Sequence, residues 1–268
     1  MVGSDTTRRR LLIGFALAAP VVAVALIRTN LIAALTPLFI SHVLLLYATL
    51  LPNSEWWGPV FSSFATDKRE VWLTIDDGPS PGHTLQMLDA LDRFGARATF
   101  FVIGAKAEKF PHLITEILAR GHSLANHTFS HSAATFWCAG PSRIAREVDR
   151  CAETLRSTAA RPNLFLRAPV GMKSPYLHPA LVRRGLILIG WSVRGFDTVR
   201  RKPEEVARRI GEAARPGAII VLHEDHQIKR DPGFNPRCLE LTLERLTARG
   251  YEFVIPSVER LRSGAART

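Results

Sequence analysis

Residues 71–81 have the sequence VWLTIDDGPSP, and the interpretation of the whole chain begins with this stretch. Its apolar residues predict a buried strand, and the Gly-Pro pair that follows predicts a loop. The strand ends in two adjacent carboxylates, Asp76 and Asp77. Neighbouring strand residues point to opposite faces. The two carboxylates can therefore share one site only if the strand is interrupted there, as the Gly-Pro pair suggests.

The composition indicates one catalytic domain with an appended segment. The chain has 268 residues, of which 47% are hydrophobic, and a formal net charge of +11. Such a length accommodates one domain of about 200 residues plus an extra segment. The arginines are scattered, without a recognisable nucleic-acid module, so the basic excess favours an anionic membrane surface over nucleic acid. Three cysteines show neither a disulfide framework nor metal-finger spacing.

Residues 1–51 predict an N-terminal hydrophobic membrane segment. Two apolar runs, Leu11–Ile27 and Leu31–Leu51, are candidate transmembrane helices. A cleavable signal peptide fits less well, because no small-residue cleavage site follows the first run. The basic cluster at residues 8–10 favours a cytoplasmic N-terminus. Two spans would then leave the rest of the chain in the cytoplasm, whereas one span would leave it outside. Either arrangement implies a bacterial-type inner (plasma) membrane.

The following segment, residues 52–69, is predicted to be an interfacial linker. Three of its aromatic residues would suit the membrane–water interface, although packing against the domain is an equal alternative. They are Trp56, Trp57 and Phe61. The catalytic domain is predicted over residues 70–262, with a tail at 263–268.

From residue 70 onward, short β-type runs alternate with helical patterns, which indicates parallel α/β architecture. The predicted strands are Val71–Asp76, Ala98–Ile103, His122–Asn126, Leu164–Arg167, Leu186–Trp191, Ala218–His223 and Glu252–Ile255. Seven strands with polar residues at their carboxyl ends predict a distorted (β/α)7-type barrel, with the site at the C-terminal face.

Several strand ends carry residues suited to a metal site. His127 and His131 follow the third strand and are four residues apart, so both imidazoles can converge on one ion. With one of the aspartates, they form a carboxylate-plus-two-imidazole set with an open coordination position. That set suits a catalytic zinc site and also a non-haem iron site.

Two further strand ends supply candidate acid–base groups. Arg167 ends a strand and can pair bidentately with a carboxylate, holding it ionised. His223 ends the buried run 218–223. Asp197 closes the stretch that begins at Trp191, and its carboxylate could set the tautomer of a histidine and raise its pKa.

Taken in order, these segments resemble the five motifs of the polysaccharide deacetylases, also known as the NodB-homology domain or carbohydrate esterase family 4. The segments are Thr74–Pro79, His127–His131, Arg167–Gly171, Trp191–Asp197 and Val221–His223. The resemblance extends over roughly residues 70–261. It implies a distorted, NodB-like barrel and metal-dependent removal of N-acetyl groups from amino sugars.

The resemblance also implies a role for each matching residue. The metal ligands would be Asp77, His127 and His131. Asp76 would be the general base, oriented by Arg167, and His223 the general acid, with Asp197 as its partner. The residues expected at the substrate are Leu222, which would line the acetyl pocket, Trp191, Pro169 and Val170. Zinc is the expected ion, with cobalt, nickel and manganese as alternatives.

The sequence departs from the family pattern near the sugar. Val170 replaces an expected aromatic residue, and Arg194 stands where an acidic residue is common. These changes spare the proposed ligands, base and acid, and they favour a smaller or lipid-linked amino sugar over a long glucan. The expected partners are an N-acetylated glycan or glycolipid and a membrane, without nucleic acid. The sequence leaves the oligomeric state open. It also leaves open two alternative functions, a non-catalytic glycan-binding protein on the same barrel and a non-haem iron oxygenase.

Overall fold

The computed structural model describes residues 2–158, 164–199, 202–225 and 233–265, which form a parallel α/β half-barrel preceded by two long helices. The helices are α1 Val2–Leu26, α2 Leu31–Leu50, α3 Thr84–Arg93, α4 Gly104–Lys109, α5 Pro111–Ala119, α6 Pro141–Thr158, α7 Leu177–Val182, α8 Pro203–Ala213, α9 Phe234–Ala248 and α10 Val258–Ala265. The strands are β1 Glu70–Gly78, β2 Ala98–Val102, β3 Ser123–Asn126, β4 Phe165–Leu166, β5 Ile187–Leu188, β6 Val193–Arg194, β7 Ala218–His223 and β8 Glu252–Phe253.

The sheet has the order β5-β4-β3-β2-β1-β7-β6, and β8 pairs with the start of β1. All of these strand pairs are parallel. The predicted NodB-like α/β barrel is therefore confirmed, with one strand more than expected. The extra strand, β6, has only two residues, too few for an alternating pattern to be recognisable in the sequence.

Alternation along the strands separates an outer core from an inner one. On β1 and β7, residues such as Ile75 and Leu222 face the helices and belong to the outer core. Trp72 and Ile219 face inward and, with Phe101, fill one end of the half-barrel. Because side chains alternate, the inward positions beyond this inner core, at the carboxyl ends of the strands, are available for polar groups.

The two N-terminal helices form an antiparallel pair that fits a membrane segment. Both are long and apolar enough to cross a bilayer, a property that signal sequences share. Many of their apolar side chains are exposed, including Leu17, Val24 and Ile32. The Asn30 side chain accepts a hydrogen bond from the Ala33 N–H and caps α2.

The aromatic residues of segment 52–69 pack within the protein. Trp57 is buried, and its Nε1 donates to Thr49 Oγ1 at the end of α2. Phe61 forms a parallel bridge with Ile189 beside β5. Trp56 and Trp57 therefore pack against the two N-terminal helices, whereas Phe61 packs against the domain. At the other end of the domain, α10 continues past residue 262 and contributes Leu261 to the inner core.

Candidate metal and catalytic site

A bulge at the end of β1 brings its two carboxylates to the same edge of the sheet. Asp76 pairs with Phe101 and Gly78 with Val102, so Asp77 is the additional residue. Its backbone lies in the left-handed region, with φ of 72°, which aspartate tolerates better than most residues. The interruption inferred from the Gly-Pro pair is therefore a bulge, and both carboxylates approach the same histidine.

Asp77 and His127 are buried and His131 is partly exposed, and the ligand atoms of the three residues all lie within 4.8 Å of one another. Asp77 Oδ1 is 3.4 Å from His127 Nε2 and 3.3 Å from His131 Nε2. Two ligands about 2.1 Å from a tetrahedral ion are about 3.4 Å apart. Within the described residues, Asp77 Oδ1 and His131 Nε2 also lack hydrogen-bond partners. The three residues therefore fit a divalent cation.

The orientation of His127 supports the same conclusion. Its Nδ1 lies 2.9 Å from the carbonyl oxygen of Arg167. This contact fits an Nδ1–H donor, which leaves the Nε2 lone pair directed at the cluster, as in metal-ligating histidines. The tautomer is thus set by the backbone of the neighbouring strand end.

The loop that carries both histidines is held by its own polar groups. Thr128 and His131 have positive φ values of 66° and 47°. The Thr128 N–H donates to Asn126 Oδ1, and the His131 N–H donates to Thr128 Oγ1. The two imidazoles therefore converge from a loop and not from a helical turn, and the strained backbone is stabilised where the ligands are positioned.

Arg167 is fully buried and holds Asp76. Its Nη1 donates to Asp76 Oδ1 at 2.6 Å and to Thr74 Oγ1 at 2.8 Å, while Nη2 donates to the Gly190 carbonyl. The guanidinium carbon lies 4.2 Å from the centre of the Phe101 ring. The pair uses a single guanidinium–carboxylate contact and not the bidentate geometry that such pairs can adopt. The remaining donors fix the arginine to neighbouring strands.

His223 and Asp197 form the second charged pair of the site. His223 Nδ1 is 3.1 Å from both carboxylate oxygens of Asp197, and the His223 N–H donates to Asp197 Oδ2. Burial alone would lower the pKa of His223, but the charge and hydrogen bond of Asp197 outweigh it. The result is a pKa of about 9. The imidazole is therefore protonated near neutral pH.

The pKa values of Asp77 and His131 are shifted in directions that favour binding of a cation. Burial would raise the pKa of Asp77, but contact with His127 and the charges of the surrounding histidines hold it well below its usual range. Burial, together with the charge of His127, lowers the pKa of His131 to about 4. Asp77 is thus an anion and His131 a neutral imidazole over a wide pH range, which are the forms that coordinate metals.

Three of the four expected substrate residues lie beside this site. Trp191 has its ring centre 5.6 Å from the guanidinium carbon of Arg167. Pro169 is buried and begins the short turn after Arg167, and Val170 in that turn is 48% exposed, with φ of 49°. A side chain on Gly171 would clash with the Trp191 ring. The turn and the tryptophan therefore pack together.

Leu222, the fourth, is not brought to the site. Its side chain packs in the outer core, on the face of β7 opposite to His223. Val221 occupies the inward position, paired in register with Thr74. Counting back two residues from His223 in an alternating strand identifies Val221, so the correct signal was present in the sequence.

Two charged residues close to the site were missed by sequence reasoning. Glu224 is fully buried behind β1, where its Oε1 accepts from the Ser80 N–H and from Thr84 Oγ1. Lys106 Nζ donates to the Asp77 carbonyl and to Asp225 Oδ2, each at 2.7 Å. Nothing in the local pattern around these residues distinguishes them from surface charges.

Comparison with known proteins agrees with this architecture. Residues 64–187 match the family model described as polysaccharide deacetylase. A chitooligosaccharide deacetylase of Bradyrhizobium sp. (strain ANU 289) is 34% identical over 194 residues, which cover 72% of this chain and 85% of that protein. The peptidoglycan-N-acetylmuramic acid deacetylase PdaA of Bacillus subtilis (strain 168) is 32% identical over 192 residues and 70% of each chain.

A solved structure shows the same fold. The crystal structure of the Bc1960 peptidoglycan N-acetylglucosamine deacetylase superimposes with a TM-score of 0.65 at 26% identity, over 72% of this chain and 88% of that one. Together these similarities define a carbohydrate de-N-acetylase, as the motifs predicted, and not an iron oxygenase. The chain belongs to the polysaccharide deacetylase family.

Proposed function

We propose that this enzyme removes N-acetyl groups from amino sugars with a divalent cation held by Asp77, His127 and His131. The observation that carries the proposal is the convergence of their three ligand atoms within 4.8 Å, two of them buried without hydrogen-bond partners among the described residues. Zinc is the expected ion, with cobalt, nickel or manganese as alternatives. When bound, the cation would polarise the amide carbonyl and lower the pKa of water.

Asp76 and His223 divide the proton transfers. Asp76, held by Arg167, accepts a proton from the water that attacks the acetyl carbonyl carbon. As the carbon–nitrogen bond breaks, protonated His223 donates its proton to the leaving amine, and acetate and the free amino sugar are released. Asp197 keeps His223 protonated until that step, consistent with its pKa of about 9.

The substrate is proposed to be an N-acetylated glycan or glycolipid. The similar proteins are named for chitooligosaccharides and peptidoglycan, both N-acetylated glycans. Trp191 offers an aromatic face near the base, and Val170 is exposed on the turn beside it. Inward-facing Val221 is the proposed contact for the acetyl methyl group, in place of Leu222.

The enzyme is further proposed to act at the cytoplasmic face of a bacterial inner membrane. Arg8, near the start of α1, lies 3.8 Å from Glu55, just after the end of α2. The basic N-terminus and the catalytic domain therefore lie at the same end of the helix pair. Basic residues favour the cytoplasmic side. Fusions of a cytoplasm-dependent and an exterior-dependent reporter to the C-terminus should show activity of the former alone; the opposite result would overturn this orientation.

The catalytic proposal is tested with the full-length protein in detergent and N-acetylglucosamine oligomers. Acetate release should disappear on chelation, return with added zinc, and be absent in Asp76→Asn. Asp89→Asn, which alters an exposed carboxylate on α3, is the matched control and should retain activity. Acetate release that survives both chelation and Asp76→Asn would refute the mechanism.

A further inference from the structure

An arginine that makes no ion pair with any described residue faces the site from β6. Arg194 pairs in register with the inward-facing Val221, so its side chain also faces inward. Its guanidinium carbon lies 4.2 Å from the Phe196 ring centre and 5.8 Å from that of Trp191. In the described parts of the chain, the Arg194 side chain makes no hydrogen bond or ion pair, and its Nε is buried and unpartnered.

A second arginine shares the Phe196 ring. Arg209, on α8, has its guanidinium carbon 4.9 Å from the same ring centre, and its Nε is also buried without a partner among the described residues. Both guanidinium groups therefore lie against the same phenyl ring. An anion bound beside the ring would be attracted by both guanidinium groups.

The nearby carboxylate does not neutralise this pair. Asp197 lies close enough for its charge to offset partly the lowering of the Arg194 pKa by burial. However, both Asp197 oxygens contact His223, and Oδ2 also accepts the His223 N–H. The negative charge of Asp197 is thus already paired with the general acid, and within the described residues no carboxylate makes an ion pair with Arg194.

The stacked geometry suits phosphate. A guanidinium that lies over an aromatic ring leaves its in-plane N–H groups free, and these match the spacing of phosphate oxygens. Phe196 itself has a positive φ of 62°, a strained conformation for a bulky residue. This conformation holds the ring beside both arginines, directly before Asp197 in the chain.

The loop that carries Trp191 is attached to the segment that directly follows α2. Asn53 Nδ2 donates to the Trp191 carbonyl at 2.7 Å. The buried Lys173 donates through Nζ to the carbonyls of Leu51 and Pro52, at 2.6 and 2.8 Å. If α2 crosses the bilayer, these contacts keep the loop of Trp191 and Arg194 at the membrane surface, where a sugar phosphate carried by a lipid would be presented.

We propose that Arg194, assisted by Arg209, binds a phosphate group carried by the N-acetylated amino sugar, so that the preferred substrate is a sugar phosphate or sugar phospholipid and not a neutral glycan. This proposal rests on the proposed deacetylation by the same site. The phosphate supplies the missing counter-charge, and its position near Asp197 places the acetylated amine of the same sugar within the catalytic site.

The test compares three probes on the full-length protein in detergent: N,N′-diacetylchitobiose, N-acetylglucosamine 1-phosphate, and the same sugar phosphate esterified to a polyprenol. We expect a higher kcat/KM for the phosphorylated probes. Arg194→Gln should reduce the phosphate-to-neutral ratio of kcat/KM by roughly tenfold or more, because hydrogen bonds between charged groups are lost, and Arg209→Gln by less. Arg183→Gln, an exposed arginine on the surface, is the charge-matched control and should leave the ratio unchanged.

The outcomes separate the proposals. A wild-type ratio near one, or proportional losses on all probes in Arg194→Gln, would overturn the phosphate site. A higher kcat/KM for the polyprenol probe than for the soluble sugar phosphate would show that the phosphate belongs to a lipid-linked sugar. Equal kcat/KM values would show that it belongs to a soluble sugar phosphate. If no probe releases acetate, the deacetylation proposal fails by itself. Calorimetric binding of N-acetylglucosamine 1-phosphate to Asp76→Asn, with and without Arg194→Gln, then still decides the phosphate site.

Discussion

Nη1 of Arg167 lies 2.6 Å from Oδ1 of Asp76, and both side chains are almost completely buried. Burial lowers the pKa of Arg167, an effect that the charge of Asp76 opposes. Removing one partner of such a buried pair typically costs about 3–5 kcal/mol, because the other charge is left uncompensated. The contact therefore links the stability of the half-barrel to the orientation of its general base.

Replacing this arginine while keeping the charge isolates its positioning role. The ammonium group of Arg167→Lys cannot reach Asp76, Thr74 and the Gly190 carbonyl together, as the guanidinium does. We expect kcat to fall by roughly 100-fold or more with a smaller change in KM, together with a lower Tm. Steady-state kinetics and thermal unfolding measure both, with Arg183→Lys as the surface control. An unchanged kcat would remove Arg167 from the mechanism.

Loss of a proposed ligand should appear in metal content before it appears in activity. His127→Gln removes one of three converging ligand atoms, while His112→Gln alters an exposed histidine on α5. Because outer contacts to metal ligands already change affinity by about 10–100-fold, loss of a ligand should weaken binding by more than roughly 100-fold. Elemental analysis of the purified proteins should find about one zinc equivalent in wild type and the control alone. Equal metal in His127→Gln would contradict the assignment.

The pH profile reports the general acid. His223 donates a proton only below its pKa, which Asp197 helps to raise to about 9. The kcat/KM of wild type should therefore decrease above pH 9. In Asp197→Asn the supporting charge is lost and burial remains, so the alkaline limb should move to roughly pH 6.5 or below. Asp89→Asn should leave the limb in place. An unmoved limb in Asp197→Asn would show that His223 is not the titrating acid.

Much of this site was recognisable from strand ends. Parallel strands bring their carboxyl ends to one edge, so the polar residues that follow β1, β3, β4 and β7 could be expected to meet. The structure does bring together Asp76, Arg167 and His127, which are far apart in the chain. Sequence reasoning succeeded where a residue's place depends on which strand end it occupies.

The remaining differences between prediction and structure concern local geometry: a strand bulge, the face of a strand on which a residue lies, and the contacts of one side chain. The Gly-Pro pair indicates that β1 is interrupted near Asp77, but the sequence pattern does not reveal that the interruption is a bulge with Asp77 as its extra residue. The motif resemblance predicts Leu222 at the acetyl pocket, whereas strand alternation places it in the outer core. The guanidinium geometry of Arg167 depends on carbonyls of a neighbouring loop, at residues 189 and 190, which no local pattern reveals.

The raised pKa of Glu224 leads to a prediction about protein stability that does not depend on catalysis. Burial raises its pKa from 4.5 to about 7, although hydrogen bonds from Thr84 and Ser80 oppose the shift. Between these two pH values the folded protein binds more protons than the unfolded chain, so stability falls as pH rises through the window and stays lower above it. Glu224→Gln cannot ionise, so its stability should be similar to wild type at pH 5 and higher at pH 8, by at most about 3 kcal/mol. Thermal unfolding at both pH values measures this, with the exposed Glu244→Gln as control. A variant that loses stability between pH 5 and 8 as steeply as wild type would show that Glu224 is ionised in the folded protein.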